Sequence, residues 1–471
     1  VFLLCYGVLI LGAAFVPLVV GPPGLTTPEP VGAYLNGVFP VATPSDEVIY
    51  EEAFPALSFN SPLTWAMHPT RDTAFVGQRN GEIYWFANKS QSPTKNLFFD
   101  LSAQVGEVWD GGFLGMVLHP DFGQAGAPGR NYFYVYYSSP DNTGRNDSPT
   151  PQGCPNIAIY DGSYLFLARY EVNEGTLTVD PSSRLEMIKM RLYNSTHRGG
   201  GMLFGQDGLL YLTTGDQAQH ITAQTLDINL DGGVLRLDVD MDPTQSHPPV
   251  YQLPQDPRGP DEVSGVGYWI PNDNPFVGES NTFEEYYTIG HRNPHRMTMD
   301  PVTGLMYIGE IGSSKHEEIN VVTAGANYGW PVWEATATHN VCTNTLNALS
   351  PTHTLPLTYW PRSEANSIIG GYVYRGTKVA SLYGAYLCAD YGSGEEVWSV
   401  DVTTGDYSQL FSFSPGNIIS FGQDHEGEVY MLKQGNNVKL YTFTTPTAGQ
   451  PDLPATLSQT GAFTDLANLT P

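Results

Sequence analysis

A tight turn followed by a short apolar strand recurs along this chain. HPT precedes AFVGQ, HPDFG precedes YFYVYY, GQDG precedes LLYLTTG, DPVTG precedes LMYIGE and GQDHEG precedes EVYML. A further strand follows in each unit: EIYWFA, YLFLARY, VLRLDV, EEINVV, EVWSVDV and VKLYTF. The units begin near Ser61, Gly111, Gly199, His295, Ser367 and Gly416, so there are six. A unit that cannot bury its own faces must stack on neighbours, and short antiparallel strands arranged radially do so without a long open edge. The repeats therefore predict an all-β fold, a six-bladed β-propeller over residues 46–445. The last unit is short of an outer strand before the tail at 446–471. DEVIYEEAF, residues 46–54, can supply it and close the ring.

Composition agrees with many strands and tight turns: 50 glycines, 37 prolines and 28 tyrosines in 471 residues. With 21 basic against 48 acidic residues the formal charge is −27, and no Lys/Arg cluster is present to track a phosphate backbone. Nucleic acid is excluded as a partner on that ground.

The first 21 residues, VFLLCYGVLILGAAFVPLVVG, carry no charge. As a helix they would extend about 32 Å, enough to cross a hydrocarbon core, and they are expected to be a transmembrane or signal-anchor helix. Residues 22–45, rich in Pro, Gly and Thr, read as a linker. Glu29, Asp46, Glu47, Glu51 and Glu52 all precede the first basic residue, Arg71, which places the propeller on the non-cytoplasmic side, extracellular, lumenal or periplasmic. An oxidising compartment permits a Cys154–Cys342 bridge between two polar loops, with Cys388 a small buried hydrophobe. The sequons at Asn88, Asn146, Asn194 and Asn468 are compatible with a glycoprotein.

DGGFLGMVLHPDFG (110–123), HRGGGMLFGQDGLLYLTTGD (197–216), GGVLRLDVD (232–240), IPNDNPF (270–276), IGHRNPHRMTMDPVTGLMYIGEIG (289–312), EEINVVTAGANYGWP (317–331) and IIGGYVYRG (368–376) carry a resemblance. They resemble the glucose/sorbosone dehydrogenase family, six-bladed propellers that include soluble pyrroloquinoline-quinone (PQQ) sugar dehydrogenases and hedgehog-interacting-type proteins that bind rather than catalyse. The match covers roughly residues 55–445.

On its own, His197 beside Gly199-Gly200-Gly201 reads as a polar strand cap. The resemblance instead implies a general base that takes a proton from a sugar C1 hydroxyl. It likewise implies that Arg292, Asn293 and Arg375 contact the cofactor, and that the carbonyls of Gly312 and Ser313 hold the Ca²⁺ that accompanies PQQ. Asp110, placed by the resemblance among the cofactor contacts, stands where the enzymes usually have Gln or Glu, and Thr196 replaces an Asp before the base. Glu395 replaces an Arg, which puts a carboxylate where a tricarboxylate cofactor would be repelled.

Two functions follow. The first is an exported, membrane-anchored, PQQ-dependent aldose dehydrogenase. The alternative is a non-catalytic propeller that binds glycans or a partner protein in an extracellular or membrane assembly, using the loops at 138–163 and 332–366.

Overall fold

The computed structural model describes residues 47–89, 93–140, 163–192, 196–227, 229–250, 267–339, 352–392 and 394–446. The expected N-terminal helix and linker, Cys154, Cys342, and the sequons at Asn146, Asn194 and Asn468 lie outside the described residues.

Six four-stranded antiparallel sheets form the propeller. From the inside outward, blade 1 is Pro62–Met67, Thr73–Gln78, Glu82–Ala87 and Asn96–Asp100. Blade 2 is Phe113–Leu118, Tyr132–Ser138, Tyr164–Asn173 and Thr178–Arg191. Blade 3 is Met202–Phe204, Leu210–Thr214, Gly233–Leu237 and Tyr286–Ile289. Blade 4 is Pro294–Met299, Met306–Glu310, His316–Val321 and Thr358–Pro361. Blade 5 is Ile368–Val373, Ala385–Asp390, Glu396–Asp401 and Tyr407–Ser412. Blade 6 takes Ile418–Gln423, Val429–Lys433 and Leu440–Thr444 from the end of the chain and Ile49–Glu52 from its beginning. The pairing of Ile49 with Thr444 and Glu52 with Tyr441 makes the early strand its outer edge.

Aromatic packing closes the seam between blades 6 and 1. Trp65 stacks on Tyr430 at 4.9 Å between centroids and donates from Nε1 to the Gln423 carbonyl at 2.9 Å. Phe54, just past the outer strand, stacks on Tyr430 and meets Phe86 edge-on. These rings are buried, so each removes a large apolar area from water and ties two sequence ends together.

The inner strands carry the feature that builds the axial cavity. In blades 1, 2, 4 and 6 the register slips by one residue near the strand start, at Leu63, Leu114, His295 and Ile419, and in blade 5 by one residue between Ile369 and Tyr372. A bulge leaves the extra residue out of the ladder and re-aims its side chain. Leu63, His295 and Ile419 thereby face the axis and line the cavity.

The sequon at Asn88 does not fit a glycosylation site. The Asn88 side chain is 6% exposed, and its Nδ2 already donates to Asp72 at 3.2 Å and to Asp424 at 3.1 Å. Cys388 is a buried free thiol, as its apolar strand position predicts.

Candidate active site

Each blade enters its inner strand from the same end of the ring, so residues just before those strands converge on the axis. There a cavity of about 360 Å³ is lined by Asp110, His197, Arg292 and Asn293, together with Gly312 and Ser313 of blade 4. That is the size range of small-molecule sites.

His197 is fixed on both sides. Its backbone N–H donates to Asp110 Oδ2 at 2.8 Å, and its Nδ1 lies 2.7 Å from Asp216 Oδ1. Asp216 comes from the end of Leu210–Thr214, is fully buried, and also receives Ala218 N–H at 2.7 Å, His220 Nδ1 at 3.0 Å and Trp330 Nε1 at 2.6 Å. Burial alone would raise the Asp216 carboxyl, but His197 and His220 outweigh it and hold the group well below the usual carboxylate range. An ionised Asp216 only accepts, so His197 Nδ1 carries the proton and Nε2 keeps its lone pair. Burial first, and then the Arg292 charge, lower the imidazole's affinity for a second proton. His197 is thus a neutral base facing a cavity.

The backbone here is strained. His197, Gln217, Ala218 and His220 have φ of 55°, 48°, 55° and 43°, values that non-glycine residues rarely adopt. Such residues collect at functional sites, where packing enforces them. A Cβ on Gly215 would lie 2.1 Å from the His197 carbonyl, so glycine there lets the dyad's two strands touch.

Arg292 donates from Nη1 to the Ile311 carbonyl at 2.9 Å and packs 5.5 Å from the Trp330 ring. Its Nε is buried and has no acceptor among the described residues. Asn293 receives Gly199 N–H on Oδ1 at 3.2 Å, and both backbone N–H groups of the Arg292-Asn293 pair point at Glu310 Oε1. Arg79 and Arg362 also line the cavity; Arg362 pairs with the buried Glu317, which leaves Arg79 and Arg292 as cations set against the lining carboxylate of Asp110. A planar polyanion fits this lining.

The loop at Gly312 and Ser313 is shaped by Glu334. That buried carboxylate accepts the backbone N–H groups of Ser313, Ser314, Lys315 and His316, between 2.6 and 3.2 Å. With the N–H groups turned to Glu334, no donor among the described residues meets the carbonyls of Gly312 or Ser313. Two free carbonyls suit a hard cation that takes its remaining oxygens from ligand and water. Among the described residues no group of three or more His, Cys, Asp or Glu side chains could hold a metal ion.

Two expectations need correction. Arg375 does not reach the cavity. It follows its inner strand, Ile368–Val373, whereas the site residues precede theirs, and six residues of strand run about 20 Å. At that opposite end it forms a two-pronged pair with Asp300, Nε–Oδ1 2.8 Å and Nη2–Oδ2 2.7 Å. Glu395 does not oppose an anion in the cavity either: it is not among the lining residues, and its carboxylate accepts Asn417 N–H at 3.0 Å. Its carboxylate is therefore not set directly against a ligand in the cavity. Sequence reasoning missed Asp216, Arg79 and Arg362. The first had a signal, a lone carboxylate ending an apolar strand in LYLTTGD; the arginines had none.

The family model for glucose/sorbosone dehydrogenase matches residues 59–258 and 267–442. The chain belongs to the glucose/sorbosone dehydrogenase family. Among its relatives, the HIPL2 protein of Arabidopsis thaliana is 28% identical over 79% of this chain and 60% of its own length. The aldose sugar dehydrogenase YliI of Escherichia coli is 28% identical over 58% of this chain and 59% of its own. The hedgehog-interacting protein of Mus musculus is 25% identical over 71% and 43%. The chain thus spans about three fifths of the length of the HIPL relative. Among solved structures, the apo aldose sugar dehydrogenase of Escherichia coli superposes with a TM-score of 0.61 at 20% identity, covering 84% of this chain and 99% of that one. The PQQ-bound aldose sugar dehydrogenase of Streptomyces coelicolor gives 0.58 at 18%, over 85% and 99%. These likenesses establish the family propeller.

Proposed function

We propose that this chain is a PQQ-dependent aldose dehydrogenase that removes the C1 hydroxyl proton of a sugar with His197. The observation that carries the reading is the His197–Asp216 dyad, whose unprotonated Nε2 faces a cavity lined by three arginines. PQQ bound there would accept the hydride from C1. Arg292, with its unsatisfied Nε, and Asn293 would hold the quinone, and the Gly312 and Ser313 carbonyls would hold Ca²⁺. Asp216 fixes the tautomer and stabilises the imidazolium once the proton has moved to Nε2.

One observation favours the second reading, a propeller that binds a glycan or partner protein: Arg375 is spent on Asp300, so the cavity has one cation fewer than the family pattern implies. Titration of the purified chain with PQQ and CaCl₂, followed by absorbance and sugar-dependent dye reduction, separates the two. Dehydrogenation abolished by His197→Gln supports the enzyme. Failure of the wild type to bind quinone at micromolar concentration refutes it.

We also propose that residues 1–21 anchor the propeller on the non-cytoplasmic side of a membrane, on the strength of the uncharged apolar run and the acidic stretch after it. Release of the full chain by carbonate wash without detergent would refute the anchor.

A further inference from the structure

Trp109 is 67% exposed although it is a tryptophan, and it lines the cavity that holds His197. Among the described residues eight large apolar side chains are exposed, and it alone belongs to that cavity. An exposed residue that also lines a cavity stands at its mouth. No ring or hydrogen-bond donor or acceptor among the described residues occupies the indole, so no contact among them accounts for its placement.

The backbone beneath it is held in a costly shape. Trp109 has φ of 52°, which a bulky residue adopts only under constraint. Arg79 supplies the constraint: Nε donates to the Gly111 carbonyl at 2.9 Å, and Nη2 to the carbonyls of Glu107, at 2.9 Å, and of Trp109. The next residue, Asp110, accepts the backbone N–H of His197 at 2.8 Å. The indole is therefore presented on a pinned loop, one residue and one hydrogen bond from the base.

We propose that Trp109 is the platform on which the substrate's pyranose ring stacks at the cavity mouth, an assignment that rests on the sugar-oxidising reading of this cavity. A pyranose has an apolar C–H face and a polar hydroxyl rim. A flat, rigid indole covers the first at little entropic cost and leaves the second free for polar groups deeper in the cavity. Stacking turns the ring's edge inward, where His197 Nε2 meets a hydroxyl. Because Trp109 touches substrate and not the transferred proton, its contribution is to binding, shared by ground and transition states.

The test measures binding of D-glucose and maltose to the cofactor-free wild type, Trp109→Ala and Trp109→Phe by saturation-transfer NMR and intrinsic fluorescence. Steady-state kinetics in PQQ and CaCl₂ complement it. Trp109→Ala should weaken sugar binding and raise KM roughly tenfold, with kcat, PQQ affinity and Tm unchanged, and Trp109→Phe should recover most of the loss. Sugar affinity and KM of Trp109→Ala equal to wild type overturn the proposal, as does a wild type that binds neither sugar. A wild type that binds sugar but no quinone sinks the dehydrogenase reading alone, and loss of that sugar in Trp109→Ala still supports the platform.

Discussion

Trp330 Nε1 donates at 2.6 Å to the same Asp216 carboxylate that receives His197 Nδ1 at 2.7 Å, although Trp330 and Asp216 lie 114 residues apart in the chain. The indole belongs to the connection between the third and outer strands of blade 4 and the aspartate to blade 3, so the orientation of the base depends on two blades meeting. With His220 and the Ala218 N–H, four donors converge on one buried carboxylate.

Asp216→Asn should therefore damage both activity and stability. An amide turns its NH₂ toward at least one former donor and no longer fixes the His197 tautomer. Sugar oxidation should fall at least about 100-fold, and thermal unfolding should show a loss of about 3 kcal/mol from the buried network. Wild-type kcat in the variant would remove Asp216 from the site.

Arg375→Ala separates fold from function. Its pair with Asp300 is nearly buried, with side chains 14% and 1% exposed, and truncation strands the aspartate. Scanning calorimetry should record a destabilisation of about 2–4 kcal/mol, while quinone affinity stays at the wild-type value. A large drop in quinone affinity without a change in Tm would restore Arg375 to the site.

The pH profile of activity should show an acid limb set by His197. Burial and Arg292 depress its pKa, so the imidazole stays a neutral base at pH 6.5, and kcat/KM falls only as pH drops below that. A limb lying above pH 7 would contradict the assignment.

Stability should follow pH differently. Burial pushes Asp231 and Glu318 up to about 8 and Glu285 to about 7, so the native state holds protons that the unfolded chain releases near pH 4. Their contribution is full below the unfolded pKa and is lost as pH rises through the folded one. His68, lowered to about 4 by burial and then by Arg71 and His425, works with His197 in the opposite sense between pH 4 and 6.5. Above 6.5 His247, lowered by burial but raised further by its bonds to Glu284 and Asn272, adds to the carboxylates in the same sense. Tm should decline from pH 6.5 to 8, with a shallower decline in Asp231→Asn; a Tm that rises over this interval contradicts the burial argument.

Gly199→Ala should lower stability by about 2–3 kcal/mol. The residue has φ of +68°, and an added Cβ would sit 2.5 Å from the Thr213 carbonyl, with no flexible side chain to yield. Unchanged urea midpoints would show that the glycine run is not needed at that position.

The period of the chain determined its architecture without help from tertiary structure. Turn chemistry and two-residue alternation recur in each unit, and a unit with two apolar faces can only stack, so the ring and the closing role of the strand at Ile49 were legible in the sequence. The family resemblance, and not the residues alone, singled out His197, Arg292, Asn293 and Asp110; the structure brings the four to one cavity because each lies ahead of an inner strand. Arg375 sits in a motif equally sharp, but on the far side of its strand; six residues of extended chain carried it to the other end of the ring, a displacement that a motif match does not encode. Glu395 turned to a neighbouring backbone N–H instead of the axis. Asp216 left one signal, a carboxylate ending an apolar strand, and the bulges that aim Leu63, His295 and Ile419 inward arise from pairing within their own blades. The placing of Trp330 and Arg79, by contrast, depended on contacts between blades. Those contacts form only when the ring closes, and no pattern within a single strand specifies them.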